Sequence, residues 1–437
     1  MKYFEKVLDL LKENNLFLTG GGGVGKSYLA QNIVSHLKKE GRQVVVLGST
    51  GVSAVNVGGQ TIHSFFAFGI CPSINELVRH DKYNKQRLAE IKKIVSKCDL
   101  IVIDEISMVS ADLLDMVQYR LRNANFKGSV LFVGDFFQLP PVFSKANENA
   151  LFSDAIYAFE GSSWSFFNPI VVELTKTKRT EDKDFFEILK KIRQGNFDES
   201  ILTYLEGLRG NDDVWGRDPT VLFGRNKEAD LLNREKLLDI DAMEITLKAK
   251  ETLHEKSLNI QKIDGWKKSL PIAPDLTLKV GAKVLFCTNK WGKYYNGERG
   301  VVVEIDDEYV LVEKSDALVK VERQPYVMYE NVVLRDTVEE KPLFSLEQFP
   351  LKLAYAVTIH KSQGMSIDTL VCNIDNIFEN SQFYVALSRA KNPSSLLLHY
   401  TRFGFEKHLQ RCIQVSDKVK DFYTNAKTLK IEENSKK

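Results

Sequence analysis

Near its beginning the chain reads Leu16-Phe17-Leu18-Thr19-Gly20-Gly21-Gly22-Gly23-Val24-Gly25-Lys26-Ser27, an apolar run that leads into a glycine-rich loop. The loop matches the phosphate-binding pattern G-x-x-x-x-G-K-[ST], which carries meaning when it lies between a strand and a helix. Residues 16–19 have the length and apolar character of a buried strand, and Lys26–Lys39 places Leu29, Ile33 and Leu37 on one helical face. The stretch therefore predicts the strand, loop and helix of an α/β nucleotide site.

The composition agrees with that fold and excludes several other classes. With 437 residues, of which 43% are hydrophobic and 27% charged, the chain is typical of a folded protein of several domains. No apolar run approaches the ~20 residues that span a bilayer, so we expect no membrane partner. Five cysteines without a C-x-x-C pair favour reduced thiols and an intracellular reducing compartment, cytoplasmic or nucleoid-associated. The net charge of +2 does not by itself indicate a nucleic-acid partner.

We expect the glycine-rich loop to hold the phosphates of ATP together with Mg²⁺. Its backbone N–H groups and the helix N-terminus would face the negative charge. Lys26 would reach the β- and γ-phosphates, and the Ser27 hydroxyl would bind the metal. The alternative is a flexible glycine linker. The residues that we assign to the nucleotide here are Gly20, Gly21, Gly22, Gly23, Val24, Gly25, Lys26 and Ser27.

A second buried strand, Leu100–Asp104, ends in two acids, Asp104 and Glu105. Asp104 can hold Mg²⁺ through water, and Glu105 can orient and deprotonate an attacking water molecule. Two acids are often only a solvated strand end, but together with a phosphate loop they predict a hydrolytic site. A guanine site would need Asn-Lys-x-Asp, a pattern that the sequence lacks, so we expect adenine or little selectivity for the base.

Short apolar strands alternate with amphipathic helices twice along the chain, which predicts two α/β domains. Further strands of the first domain are expected at 43–48 and 130–134. For the second domain we expect strands at 170–174, 221–224, 370–374 and 395–398, and helices at 226–238 and 381–389. Between them, turn-separated runs predict a small all-β barrel with strands at 283–287, 300–305, 309–313 and 318–322. The charged tail is expected to be frayed.

The strand at 130–134 leads into Gly134-Asp135-Phe136-Phe137-Gln138-Leu139-Pro140-Pro141-Val142. A neutral glutamine at a strand end can contact the γ-phosphate and report its loss, which is the role we expect for Gln138. Phe136 and Phe137 are better explained by packing in the core.

Three more stretches complete an ordered set of motifs. They are Gly48–Phe66, Leu353–Asp368 with Thr358-Ile359-His360-Lys361-Ser362-Gln363-Gly364, and Tyr384–Lys391 with Leu-Ser-Arg-Ala. With the elements above, the chain resembles the Pif/RecD-type branch of superfamily 1B DNA helicases and is most similar to the Pif family. The resemblance covers Leu16 to about Leu409.

The resemblance implies an α/β fold of two RecA-like P-loop domains, with a small insertion in the first, an SH3-like β-barrel insertion in the second, and ATP in the cleft between them. Domain 1A would cover 1–165, with a wedge insertion at about 62–78. Domain 2A would cover 166–240 and 340–415, and the inserted domain 2B would cover 241–339, with its barrel at about 277–323. The charged tail is 416–437.

The resemblance also assigns roles to single residues. The matches in the first domain are Lys26, Ser27, Asp104, Glu105 and Gln138. In the second domain Arg389 matches an arginine finger, with Arg179 as its partner, and Gln363 and Gly364 lie in a nucleotide motif. A guanidinium suits this role because charge develops on the transferring phosphoryl group. The family's glutamine-containing adenine-reading segment is not matched, since residues 1–15 contain no Gln.

Proteins that bind single-stranded DNA hold its backbone with hydroxyls, amides and a few cations. Two clusters that match family strings along the DNA track supply such groups. They are Ser49, Thr50, Thr61, His63 and Ser64 in the first domain, and Thr358, His360, Lys361 and Ser362 in the second.

Two further features have two readings each. The aromatic run Phe65–Pro72 is either part of a wedge that splits duplex DNA or a small core behind it. In the barrel, cations alternate with aromatic residues, which suits a polyanion with stackable bases or a solvated face. These residues are Lys279, Lys283, Lys290, Lys293 and Arg299 with Trp291, Tyr294 and Tyr295, opposed by Glu298. Lys290 and Lys293 are the predicted DNA contacts among them.

The resemblance implies an ATP-dependent helicase that moves 5′-to-3′ on single-stranded DNA as the cleft closes and opens. Its expected partners are single-stranded DNA and tailed or forked duplex, with G-quadruplex or RNA–DNA hybrid as possible substrates, and the expected active form is a monomer on DNA. Two alternatives are a RecD-like subunit of a recombination complex and a P-loop switch protein that does not translocate.

Overall fold

A computed structural model of the chain describes residues 2–50, 53–54, 59–69, 71, 73–141, 155–256, 258–290, 292–314, 317–334 and 337–431. The chain forms two compact units. The first consists of Met1–Thr177, Tyr329–Pro342 and Ser416–Lys437, and the second of Lys178–Met328 and Leu343–Val415. None of the helices in the described ranges is long and apolar enough to cross a membrane.

The strands are β1 (Leu16–Thr19), β2 (Val44–Gly48), β3 (Gln60–Thr61), β4 (Leu100–Asp104), β5 (Ser129–Val133), β6 (Ile170–Leu174), β7 (Thr220–Phe223), β8 (Ile245–Lys248), β9 (Lys250–Leu253), β10 (Asp275–Leu278), β11 (Lys283–Phe286), β12 (Arg299–Ile305), β13 (Tyr309–Lys314), β14 (Ala317–Glu322), β15 (Gln324–Leu334), β16 (Thr337–Gln348), β17 (Leu351–Leu353), β18 (Ala356–Thr358), β19 (Leu370–Asn373), β20 (Leu396–His399) and β21 (Thr428–Ile431).

The helices are α1 (Lys2–Leu11), α2 (Lys26–Lys39), α3 (Ile62–Phe65), α4 (Ile74–Asp81), α5 (Lys85–Lys97), α6 (Ala111–Asn123), α7 (Ser162–Phe167), α8 (Lys183–Arg193), α9 (Glu199–Arg209), α10 (Asp213–Gly216), α11 (Asn226–Leu238), α12 (Ile260–Lys268), α13 (Gln382–Leu387), α14 (Phe405–Cys412) and α15 (Asp417–Asn425).

The first unit is built on a seven-stranded sheet of order β21-β6-β1-β5-β4-β2-β3, in which neighbouring strands are parallel. The carboxyl ends of parallel strands meet at one edge, where ligands bind in open α/β sheets. The segments that follow β1, β4 and β5 therefore leave from the same edge. These are the three segments in which the sequence predicts the nucleotide site.

Alternate residues of β1 face two different cores. Leu16 and Leu18 are fully buried in an aliphatic cluster to which α1 and α2 contribute. Phe17 is equally buried, and its ring centroid lies 5.1 Å from that of Phe136 and 5.4 Å from that of Trp164. Successive strand residues point to opposite faces. Burial on both faces is typical of a parallel sheet.

The strand at 170–174 has the predicted bounds but belongs to a different sheet. We expected it in the second domain, and this assignment is wrong, because it pairs in parallel with β1 from Leu16 opposite Ile170 to Thr19 opposite Glu173. The first compact unit accordingly continues to Thr177. The periodicity of a strand does not encode which sheet it joins. The other domain boundaries stay predictions.

The expectation of a frayed tail is wrong for residues 417–431. Helix α15 is followed by β21, which adds an edge strand parallel to β6 with Thr428 opposite Val171. Phe422 packs on the aromatic face of the sheet, 4.5 Å between ring centroids from Phe159 and 5.7 Å from Trp164. Because many of the residues around Phe422 are charged, the composition of the tail does not reveal that this phenylalanine packs on the sheet. Residues 432–437 lie outside the described ranges.

The second unit contains a four-stranded parallel sheet of order β18-β7-β19-β20. Its core includes Val221 of β7, Val371 of β19 and Leu397 of β20. Helix α11 has the predicted bounds, and α13 lies within the predicted 381–389. Two α/β units with parallel sheets confirm the predicted fold class.

A five-stranded antiparallel sheet of order β14-β13-β12-β11-β17 also belongs to the second unit. Its first four strands in sequence are those predicted within 277–323, and β17 adds a strand from outside that range. Val284, Phe286 and Val310 are among its fully buried core residues. That this sheet is an SH3-like barrel within an inserted domain stays a prediction.

Candidate nucleotide and DNA site

The phosphate loop runs from the end of β1 into α2 and depends on glycine at two positions. Gly25 caps α2 in the left-handed conformation, with φ 91°. At Gly20 a Cβ atom would lie 2.3 Å from the carbonyl oxygen of Leu174. Lys26 Nζ donates to the carbonyl oxygens of Gly20 at 2.7 Å and Gly21 at 3.1 Å, which places the ammonium over the loop. The ammonium and the helix N-terminus together form an anion site.

Two neighbouring carboxylates follow β4 at the same edge of the sheet. Asp104 is buried and its Oδ1 accepts a hydrogen bond of 3.0 Å from the backbone N–H of Glu105. Burial raises the pKa of Asp104 to about 7, and the charge of Glu105 adds to the rise while Lys26 opposes it. Glu105 has φ 53°, a conformation that is costly for a residue with a Cβ and is concentrated at functional sites.

The donor set fits a divalent cation bound with a phosphate ligand. Burial and the neighbouring charge of Glu105 raise the pKa of Asp104, and a divalent cation beside it would favour its ionised form. Ser27, in the first turn of α2, exposes its side chain beside the phosphate loop. Mg²⁺ prefers this kind of site, with one or two protein oxygens, phosphate oxygens and water. Among the described residues no cluster of three or more His, Cys, Asp or Glu side chains could hold a metal ion.

Gln138 lies in the segment after β5 and is held by Asp135. Its Nε2 is 3.5 Å from Asp135 Oδ2, and its backbone N–H donates to the Asp135 carbonyl oxygen at 2.8 Å. Asp135 is completely buried and Gln138 is 5% exposed. Phe136 and Phe137 are buried, which confirms that they pack in the core. Val142, at the end of the quoted motif, lies outside the described ranges.

The second unit brings the two predicted arginines together. Arg179 donates from Nε to Ser366 Oγ at 2.9 Å and from a terminal nitrogen to the Ser388 carbonyl oxygen. Desolvation lowers the pKa of Arg179 to about 9, and the charge of Arg389 adds to this effect. Two like charges held close together in this way suit a polyanionic ligand such as a triphosphate.

Arg389 also fastens the turn that carries Gln363 and Gly364. Its Nε donates to the Val385 carbonyl oxygen at 3.0 Å, and one terminal nitrogen lies 3.3 Å from the Ser362 carbonyl oxygen and 3.5 Å from that of Met365. Gly364 has φ 79°, which favours glycine. The predicted nucleotide residues of the second unit thus form one connected group.

Some hydroxyls of the first predicted DNA cluster form local hydrogen bonds that stabilise the backbone around them. Thr61 caps α3 by accepting from the Ser64 backbone N–H at 3.2 Å. Thr50 exchanges hydrogen bonds with Ser53. Ser49 Oγ has no hydrogen-bond partner among the described residues, and His63 exposes its side chain. Residues 51–52 and 55–58 of this motif lie outside the described ranges.

The second predicted DNA cluster divides into buried and exposed members. Ser362 is completely buried, and its hydroxyl donates to the Ile359 carbonyl oxygen at 2.7 Å. Thr358 is also buried and caps the same turn through the Lys361 backbone N–H at 3.4 Å. The geometry does not support direct DNA contact by these two hydroxyls. His360 and Lys361 remain the candidates, with His360 Nε2 3.3 Å from Glu379 Oε2.

The interpretation of the aromatic run as an exposed wedge is wrong. Phe65, Phe66 and Phe68 are completely buried, and the rings of Phe66 and Phe68 stack with centroids 5.5 Å apart. Arg120 of α6 closes this small core by donating to the Phe66 carbonyl oxygen and to the Asp81 carboxylate. The burial of these rings supports the small-core alternative, and a wedge insertion at about 62–78 stays a prediction. Ile70 and Pro72 lie outside the described ranges.

The cations of the predicted barrel segment do not form the continuous patch that their order in the sequence suggested. Lys279 is buried, and its Nζ donates a hydrogen bond to the Ile240 carbonyl oxygen. Lys283 forms an ion pair with Asp218. Lys290 lies 3.2 Å from Glu322, which leaves Lys293 as the more exposed predicted contact.

One aromatic residue of the same segment also departs from the prediction. Tyr294 is completely buried and stacks on Phe286 at 4.2 Å between centroids, so its expected role in base stacking is wrong. Tyr295 is 49% exposed. Trp291 lies outside the described ranges.

A tyrosine of the tail that no sequence motif marks contacts two of the predicted nucleotide segments. Tyr423 Oη lies 2.8 Å from Thr19 Oγ1 and 3.4 Å from Asp135 Oδ1, and accepts from the Phe136 backbone N–H at 3.1 Å. The available signal was the aromatic pair Phe422-Tyr423 within an otherwise charged helix.

Comparisons with known proteins agree with this geometry. The family model described as PIF1-like helicase matches residues 2–203. The ATP-dependent DNA helicase Pif1 of Campylobacter jejuni is 40% identical over 444 residues, which cover 98% of each chain.

Solved structures give the same answer. A crystal structure of Bacteroides sp. Pif1 in complex with ADP-AlF4 matches with TM-score 0.83 at 27% identity, covering 97% of this chain and 96% of the other. A structure of Bacteroides Pif1 bound to ssDNA matches with TM-score 0.64 at 27% identity over the same shares. The chain therefore belongs to the PIF1-like helicase family and is an ATP-dependent DNA helicase, as its motifs predicted.

Proposed function

We propose that the first unit hydrolyses ATP at the carboxyl edge of its parallel sheet and that this hydrolysis drives 5′-to-3′ movement along single-stranded DNA. The observation that carries the proposal is the convergence of three segments at that edge. They bring the ammonium of Lys26, the Asp104–Glu105 pair and the amide of Gln138 to one side of the sheet.

In the proposed reaction Ser27 and Asp104 would hold Mg²⁺ at the phosphates of ATP, where the cation would neutralise negative charge. Glu105 accepts a proton from water, the water oxygen bonds to the γ-phosphorus, and the bond to the β,γ-bridging oxygen breaks. Lys26 stabilises charge on the β- and γ-phosphates, and Gln138 contacts the γ-phosphoryl group. We assign to Arg179 and Arg389 of the second unit the supply of positive charge to a phosphate ligand, and the like charges that these two guanidinium groups bring together support that role.

For DNA we propose that Thr50, His63, His360, Lys361, Lys293 and the partly exposed Lys290 contact the backbone of a single strand. Their exposure or partial exposure supports the assignment. Tailed and forked duplexes are the substrates we propose, with a monomer as the active form. A DNA substrate and five free cysteine thiols support a cytoplasmic or nucleoid-associated location for the protein.

The variant Glu105→Gln tests the hydrolytic site. It keeps the size and hydrogen-bonding reach of the side chain but removes the base, so we expect ATP to bind with native affinity while DNA-stimulated turnover falls at least about a hundredfold. The exposed Glu206→Gln on α9 is the matched control and should keep native turnover. Native turnover in Glu105→Gln would exclude Glu105 as the base.

Strand displacement on partial duplexes with a 5′ or a 3′ tail tests polarity and substrate together. Unwinding of the 5′-tailed duplex alone is the expected result, and preference for the 3′ tail would overturn the proposed direction. Single-turnover unwinding at increasing enzyme concentration tests the monomer, because a rate that rises with the square of enzyme concentration would show that two copies are needed.

A further inference from the structure

Tyr423, on the tail helix α15, joins two of the segments that form the proposed nucleotide site. Its hydroxyl is 2.8 Å from Thr19 Oγ1, the last residue before the phosphate loop, and 3.4 Å from Asp135 Oδ1. It also accepts from the Phe136 backbone N–H at 3.1 Å. Since a phenol has one proton, donation to the carboxylate requires that Thr19 donates to Tyr423. Thr19 and Asp135 are both completely buried, so these bonds are shielded from water.

Asp135, which Tyr423 holds in place, in turn contacts the side chain of Gln138. One carboxylate oxygen accepts from Tyr423 and from the Phe137 backbone N–H at 3.2 Å, and the other faces the Gln138 amide nitrogen at 3.5 Å. The ring of Tyr423 also stacks on Phe137, with centroids 4.6 Å apart and planes 12° apart. The orientation of the Gln138 side chain thus depends on a carboxylate that the tail holds in place.

We propose that Tyr423 is a positioning residue for ATP hydrolysis, whose hydroxyl aligns the Asp135 carboxylate with Gln138 and ties both to the phosphate loop. The inference rests on the proposed contact between Gln138 and the γ-phosphoryl group. It makes the tail segment 417–431 part of the hydrolytic apparatus, although none of its residues needs to touch ATP.

The kinetic effect of losing the Tyr423 hydroxyl distinguishes a role in aligning Gln138 from a role in stabilising the fold. An interaction made only in the transition state lowers kcat when it is lost, whereas one made equally in the ground state changes KM. We therefore expect Tyr423→Phe to lower the kcat of DNA-stimulated ATP hydrolysis about tenfold, with KM for ATP unchanged. Affinity for ADP with aluminium fluoride should weaken about tenfold as well, while affinity for ADP alone stays native, because only the former presents a γ-phosphoryl mimic.

The matched control removes a hydroxyl that holds the same helix elsewhere. The Tyr157 hydroxyl bonds to Ser416, the residue that caps α15, and its ring stacks on Phe159 at 5.2 Å. Tyr157→Phe should keep native kcat and native affinity for both ligands. Thr19→Val removes the same hydrogen bond from the other side and should reproduce the Tyr423→Phe phenotype, and it takes over the test if Tyr423→Phe does not fold.

Gln138→Ala, measured in parallel, distinguishes failure of this inference from failure of the proposed site. If Gln138→Ala loses kcat while Tyr423→Phe keeps it, the positioning role of Tyr423 is excluded. Equal losses in Tyr423→Phe and Tyr157→Phe would also exclude it, since they would reflect a loosened tail. If Gln138→Ala itself keeps native kcat and native aluminium fluoride affinity, the proposed γ-phosphate contact fails and the inference fails with it.

Discussion

Asp104 is a buried carboxyl of the site whose protonation couples folding to pH. Its pKa rises from 3.8 to about 7 on folding, chiefly because the carboxyl is buried. The folded protein therefore holds a proton that the unfolded chain has released between about pH 4 and about pH 7, and stability falls as pH rises through that window. We expect Asp104→Asn, which keeps the acceptor for the Glu105 N–H, to raise Tm in Mg²⁺-free and nucleotide-free buffer at about pH 8, and to raise it less at about pH 5.

The control for this measurement is Asp230→Asn, a substitution of an exposed carboxyl on α11. Its change in Tm should be small and the same at both pH values. A change in Tm for Asp104→Asn that does not depend on pH would contradict the burial argument. Because Mg²⁺ competes with the same proton, its affinity in the presence of ATP should rise as pH increases through 7.

At the scale of helices and strands, the spacing of apolar residues was sufficient to predict the bounds of elements that are determined by neighbours in sequence. The strands at 16–19 and 100–104 and the helices at 26–39 and 226–238 have the predicted bounds because apolar spacing marks their buried faces. The predicted sheet membership of β6 was wrong because strand pairing depends on residues far apart in the sequence. The phosphate loop and its acids could be predicted, since their chemistry lies in contiguous motifs. Tyr423 could not, because it reaches the site only through the fold.

The tail helix supplies the prediction that belongs to this scale. Phe422 is half-buried, and its ring lies within 6.1 Å of the rings of Phe17, Phe136, Phe159 and Trp164. We expect Phe422→Ala to lower the free energy of unfolding by about 2 kcal/mol, less than for a fully buried phenylalanine. Urea denaturation measures it. Phe403→Ala removes the same side chain where it is fully exposed and should leave stability unchanged. Native stability in Phe422→Ala would show that the tail does not stabilise the sheet.

For the whole molecule, the near-zero net charge is consistent with a modest grip on DNA. The formal charge is +2, and several cations of the barrel segment pair with acids or lie buried. A motor that releases its track at every step has no need of a large positive surface. Whole-chain charge therefore said little about the partner, whereas the exposure of individual cations in the fold does.

The salt dependence of binding to single-stranded DNA tests that view. If Lys361, Lys293 and Lys290 contact phosphates, the plot of log affinity against log salt concentration should have a slope of about −2, because each contact with a single strand contributes about −0.7. Lys293→Ala should make the slope shallower by about 0.7, and Lys290→Ala by less, because Glu322 already neutralises part of its charge. Lys127→Ala, an exposed lysine outside the predicted DNA contacts, should leave the slope native. An unchanged slope in both Lys293→Ala and Lys290→Ala would exclude the predicted barrel segment from the DNA interface and would leave Lys361 as the principal cation that contacts DNA.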